Sequence, residues 1–212
     1  MSKNKKKTPN SKKVRKTYKF LYWLLAGIVR KLYRVRVINL VKEPTDMHFI
    51  VASNHTSAAD AVIIAASFKH QIRFMAKKEL FKIPLFAQLI RVLGAFPVDR
   101  SVSDVGAVKK AVSLVKDKKC MGIFPQGHRY NKVDPRKTSV KTGAAMIALK
   151  AGVPVLPVFI KVKNNKHFFL CRKEVIVGKP ISIEEMNYNP EAPGEYQRVA
   201  DYLFERVCEL GD

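Results

Sequence analysis

Two hydrophobic rhythms alternate along most of this chain. Short apolar runs rich in Val, Ile and Phe occupy Val35 to Leu40, His48 to Ala52, Ile72 to Ala76, Ala95 to Val98, Met121 to Phe124, Val155 to Ile160 and Phe168 to Val177, and each predicts a strand. Between them apolar residues recur at helical spacing over Asp60 to Phe68, Leu85 to Val92, Asp104 to Lys116, Thr142 to Lys150 and Glu195 to Glu209. In the Asp104 segment Val105, Val108, Val112 and Val115 form one stripe and lysines the other, with Ser103 placed to cap and Asp104 to suit the helix dipole. Strands alternating with helices predict one layered α/β domain over residues 35–212, its central sheet largely parallel or mixed and flanked by helices. No internal repeat interrupts the pattern.

The first 34 residues read differently. Met1 to Lys19 holds nine Lys or Arg and no acid, with Thr8-Pro9-Asn10-Ser11 as a breaker, and predicts a disordered basic arm. Over residues 20–34, Phe20, Leu21, Trp23, Leu24, Leu25, Ile28 and Leu32 form a broad apolar surface if helical, with cations at its ends. Arg30 and Lys31 close the run after about half of the roughly 20 apolar residues that a spanning helix needs. Such a helix either packs on the domain or lies in a membrane interface. The aromatics Tyr22, Trp23 and Tyr33 and the adjoining basic arm favour the interface, on the cytoplasmic face of the cell membrane.

Composition sharpens this picture. The 212 residues carry 40 Lys+Arg against 17 Asp+Glu, a formal net charge of +23. That excess points to an anionic partner: a bilayer, nucleic acid or a phosphorylated ligand. The densest charge lies in the arm, and neither an RNA-binding aromatic signature nor a helix-turn-helix pattern accompanies it, so no nucleic acid is expected. Cys120, Cys171 and Cys208 are odd in number and widely spaced, which argues against a disulfide framework and shows no paired metal-ligand spacing.

The candidate chemistry lies in Ser53-Asn54-His55-Thr56-Ser57-Ala58-Ala59-Asp60, between a strand and a helix. On one straight helix His55 and Asp60 would diverge by about 140°. Across a strand-to-helix turn, Asp60 can instead accept a hydrogen bond from one ring nitrogen and leave the other as a proton acceptor. Asn54 and Ser57 are placed to bond the turn backbone. Taken alone, the spacing fits a turn with Asp60 as a helix cap better than a catalytic pair. Neither Gly-x-Ser-x-Gly nor a Cys beside a His is present, so a base without a protein nucleophile implies direct attack by a substrate hydroxyl. Three further segments end strands in cations: Met75-Ala76-Lys77-Lys78, Gly94 to Arg100, and Phe124-Pro125-Gln126-Gly127-His128-Arg129. If the sheet is parallel there, Lys77, Arg100 and Arg129 converge near His55, suited to a phosphate.

These blocks, in this order, resemble the glycerolipid acyltransferase family, in particular its 1-acylglycerol-3-phosphate acyltransferases. Asn54 to Asp60 matches the family's Asn-His-x-Ser-x-x-Asp in full. Gly94 to Arg100 is similar to its Gly-x-x-Phe-x-x-Arg with Phe96 one place early. Phe124 to Arg129 matches Phe-Pro-Glu-Gly-Thr-Arg with Gln126 for Glu and His128 for Thr, and Val153-Pro154-Val155-Leu156-Pro157-Val158 resembles its proline block. The resemblance implies that His55 deprotonates the acceptor hydroxyl of lysophosphatidic acid while Asp60 orients it. It further implies that Lys77, Arg100, Gly127 and Arg129 bind the phosphate, and that Val153, Pro154 and Pro157 line the acyl or acceptor pocket. It implies an acyl carrier protein or coenzyme A thioester as co-substrate and no metal or redox cofactor. Another lysophospholipid acceptor, or a non-catalytic basic membrane- or nucleic-acid-binding protein, remains the alternative.

Overall fold

The computed structural model describes residues 24–98, 105–162 and 170–212. The basic arm, residues 20–23, Arg100, Ser103 and Asp104 therefore lie outside the described residues. Seven strands form one sheet: β1 (Val35–Asn39), β2 (Ile50–Ser53), β3 (Arg73–Lys77), β4 (Phe96–Val98), β5 (Met121–Ile123), β6 (Val155–Val162) and β7 (Lys173–Val177), in the spatial order β1-β7-β6-β2-β5-β3-β4. The five strands from β6 to β4 are mutually parallel. β7 runs antiparallel to β6, and β1 follows β7 in parallel. The helices are α1 (residues 24–32), α2 (Asp60–Ser67), α3 (Pro84–Val92), α4 (Val105–Lys116), α5 (Gly143–Ala151) and α6 (Glu195–Glu209).

Strand alternation sends the two faces of the sheet to separate cores. Ile50 and Ala52 of β2 join Ala107, Ala111 and Val115 of α4, Ala145 and Ile147 of α5, and Val199, Leu203 and Val207 of α6. Phe49 and Val51 point the other way, to Ile63 and Ile64 of α2, Leu156 and Ile160 of β6, and Val29 of α1. A parallel strand covered on both faces must be apolar throughout, and all of β2 is buried. α4 corrects the sequence expectation. Of the expected valines only Val115 joins its core stripe, which is completed by Ala107 and Ala111, small residues that let the helix sit close to the sheet. Val105 is exposed, and Val108 and Val112 only pack against the core's edge.

Proline 157 stands inside β6 without breaking it. Its carbonyl accepts from the Gly178 N–H just past β7, so its missing N–H faces the side where β7 has already ended. α1 buries Ala26 against the domain, and Arg30 Nε donates to the Ala66 carbonyl 2.7 Å away. It still exposes Leu24, Ile28 and Leu32, one apolar face at four-residue spacing. The helix thus packs on the domain with one face and presents an apolar stripe with another. No described helix is long and apolar enough to cross a membrane.

Candidate active site

Because β2, β3 and β5 are parallel, their carboxyl ends share one edge, where open α/β sheets bind ligands. His55 leaves the end of β2 and Asp60 opens α2. Asp60 is 1% exposed, and its Oδ2 lies 2.9 Å from His55 Nδ1. The same oxygen accepts the Thr56 N–H at 2.6 Å and the Ser57 N–H at 2.8 Å, and Oδ1 accepts the Ser57 hydroxyl at 3.0 Å. A carboxylate gathering that many donors stays an acceptor towards the ring, so Nδ1 carries the hydrogen and Nε2 keeps its lone pair. Tyr33, just past α1, is near enough that burial and the Asp60 charge together raise its phenol above the ordinary value.

His55 is fixed from three other directions. Its N–H donates to Gln126 Oε1 at 2.7 Å, and its carbonyl accepts the Tyr130 N–H at 2.9 Å. Gln126 Nε2 in turn donates to Thr138 Oγ1 at 2.8 Å, and that hydroxyl donates to the Pro135 carbonyl at 2.6 Å. The imidazole stacks on Phe124 with ring centres 3.9 Å apart, and Phe124 stacks on Phe74 at 5.6 Å. Gly122 makes room for this stack, since a Cβ there would fall 2.2 Å from the Phe74 ring. The sequence reading missed Phe74, Gly122, Thr138 and Tyr130. A glycine inside an apolar strand run was the available signal, since it marks a close approach.

Asn54 differs from expectation. It clasps β6 instead of the turn, donating to the Ile160 carbonyl at 3.1 Å and accepting the Ile160 N–H at 2.7 Å. Ser57 does bond the turn, its hydroxyl oxygen also accepting the Ala59 N–H at 3.1 Å.

The histidine ring opens on a cavity of about 920 Å³. Its lining mixes apolar residues, among them Met75, Val98, Val108, Val112 and Ile123, with Lys109, Lys141, Lys150 and His128. Gly127 lines it too, in a left-handed turn with φ of 70° that brings its backbone beside Lys141. Lys77 and Arg129 are exposed and lie outside the cavity's described lining. Lys77 stands 4.0 Å from Glu79. The proline block lies elsewhere: Val153 belongs to the core, and the Pro154 carbonyl accepts the Ile50 N–H at the opposite end of β2 from His55. Pro157 pairs with Ala52 within the sheet, and none of the three lines the cavity. Among the described residues no group of three His, Cys, Asp or Glu could hold a metal ion.

A buried carboxylate beside an oriented imidazole, on a cavity at the carboxyl edge of an α/β sheet, is an arrangement that can perform general-base chemistry. The Acyltransferase family model matches residues 34–161, more than half of the chain, and the chain belongs to that family. Among its relatives is the 1-acyl-sn-glycerol-3-phosphate acyltransferase of Bacillus subtilis, 29% identical over 196 residues that cover 91% of this chain and 96% of the relative. That of Streptococcus pneumoniae is 32% identical and covers 84% of this chain and 69% of the relative. The crystal structure of the 1-acyl-sn-glycerophosphate (LPA) acyltransferase PlsC from Thermotoga maritima superposes with a TM-score of 0.66 at 25% identity, covering 95% of this chain and 83% of that one.

Proposed function

We propose that the protein transfers a fatty acyl group from an acyl thioester to the free hydroxyl of 1-acylglycerol-3-phosphate, giving phosphatidic acid. The observation that carries this reading is the His55 ring, held by Asp60 at Nδ1 and lining the cavity. Nε2 takes the hydroxyl proton as the oxygen attacks the thioester carbonyl. The C–S bond then breaks, and the departing sulfur recovers the proton from the imidazolium. Asp60 keeps the ring in one tautomer and stabilises its charged form. At about 920 Å³ the cavity suits a substrate of drug size or larger, since such sites run to roughly 300–1,000 Å³. Its apolar lining residues fit acyl chain, and its lysines fit phosphate. Lys77 and Arg129 on the same edge, with Gly127, Arg100 and the cavity's Lys141, are the groups we assign to the acceptor phosphate.

The donor is an acyl carrier protein or coenzyme A thioester, and the acceptor is drawn from an anionic membrane on whose cytoplasmic face the protein sits peripherally. The apolar stripe of α1 and the cationic sequence before it support that placement. The test is an assay of both thioester donors with lysophosphatidic acid and with lysophosphatidylglycerol. Phosphatidic acid should form, and His55→Ala should lower the rate about a thousandfold while leaving vesicle binding unchanged. A wild-type protein inert with both donors would sink the proposal.

A further inference from the structure

The segment from Lys77 to Arg91 covers the 3-10 turn Lys78–Lys82 and α3, and it is barely packed on the domain. Ala87 is its buried residue, Phe81 and Ile90 are half-buried, and the other twelve are exposed. Five of those are large and apolar: Leu80, Ile83, Leu85, Phe86 and Leu89, with Leu85 83% and Ile83 54% exposed. Water-facing surfaces rarely gather so much apolar area without a partner. The charges around it are cationic. Lys77, Lys78, Lys82 and Arg91 are exposed, against one acid, Glu79, at 4.0 Å from Lys77. The Arg91 guanidinium lies over the Phe81 ring, 5.3 Å from its centre, keeping its charge beside the apolar face.

We propose that this turn and helix form a membrane-inserting element that seats the protein on an anionic bilayer. The apolar side chains enter the acyl boundary and the lysines and Arg91 meet lipid phosphates, the arrangement of an interfacial helix. Nine residues are too few for α3 to do more than lie in the interface. Position adds a second argument. The element leaves the carboxyl end of β3, the edge on which His55 follows β2, so insertion brings lipid to the side where the cavity lies. An acidic carrier protein would match the cations but leave Leu85 and Ile83 without a purpose at the most exposed points, so lipid accounts for more of the surface. The proposal deepens the reading above by naming where the membrane is met. It rests on that reading only for the lysolipid's source, and its test needs no turnover.

The full-length protein is mixed with phosphatidylglycerol vesicles or phosphatidylcholine vesicles. Trp23 is the chain's single tryptophan, so Leu85→Trp in a Trp23→Phe background reports from the element alone. Its emission should shift to the blue and be quenched by brominated acyl chains with phosphatidylglycerol, whereas Glu205→Trp on the exposed face of α6, in the same Trp23→Phe background, should not respond. Leu85→Glu should weaken partitioning about tenfold, the loss of one buried leucine with a carboxylate set among anionic headgroups. Unquenched emission from position 85, or unchanged partitioning of Leu85→Glu combined with Ile83→Glu, overturns the proposal. So does loss of acyl carrier protein binding in that double variant while vesicle binding stays intact.

Discussion

At the scale of the residue, four separate contacts fix one imidazole: Asp60 at Nδ1, Gln126 at the N–H, Tyr130 at the carbonyl and Phe124 on the ring face. The first was legible in the sequence because both partners lie in one turn. The others were not, since residues 124–130 reach His55 only through the pairing of β2 with β5. Asp60→Asn should keep the fold and lower turnover by about 10³- to 10⁴-fold, because an amide N–H₂ would face donors and let the ring take the wrong tautomer. Single-turnover rates with circular dichroism in parallel check this. Gly122→Ala should destabilise the protein by about 1–3 kcal/mol through collision with the Phe74 ring. Adding Phe74→Leu should recover part of the loss in a urea titration. The buried Cys208 thiol is pushed up to about 11, chiefly by desolvation, and burial also raises that of Cys120. At pH 8 a maleimide should therefore label Cys171, which is partly exposed, and spare the other two until the protein is unfolded.

Among the elements, positions were well legible and partnerships less so. Glu195–Glu209 is helical over its full expected span, because its apolar stripe from Val199 to Cys208 has no competing reading. The strand expected over Phe168 to Val177 is found as β7 from Lys173, residues 170–172 forming a turn, and Phe168 itself lies outside the described residues. The 3-10 turn after β3 went unforeseen, since Lys78–Lys82 carries too few residues to show a period. Asn54 shows how a side chain can stand in for strand backbone. It pairs with both backbone groups of Ile160 where β2 has ended. Asn54→Ala would strand a buried N–H and carbonyl, costing about 2–4 kcal/mol, which chemical denaturation would register. At the head of α6, Glu195 accepts from Arg198 and from the Asn189 N–H, and these bonds lower its carboxyl from 4.5 to about 2. A depressed acid stabilises the fold above its ordinary value and loses that contribution as pH falls through the lowered one. The contact should thus persist at pH 3 and give way near 2, as the Glu195 side-chain chemical shift would report.

For the molecule as a whole, the α/β class was readable because parallel strands covered on both sides appear as unbroken apolar runs. Strand order was not, nor was the reversal of β7 and β1, since pairing between distant segments leaves no local mark. Charge acts at this scale too. Removing Met1 to Lys19 takes away nine of 40 cations and should weaken binding to anionic vesicles most at low salt. The ceiling is about 1 kcal/mol per basic residue at the surface. Sedimentation of the truncated chain with vesicles at two salt concentrations would measure the difference. Finally, the Thr138 hydroxyl spends its hydrogen on Pro135 and can offer Gln126 only lone pairs. A glutamate at position 126 would set oxygen against oxygen there unless the hydroxyl turned from Pro135 to donate to it. Gln126→Glu therefore gives up either the bond from Thr138 to Pro135 or the one between positions 126 and 138, so the amide and the hydroxyl act as a matched couple.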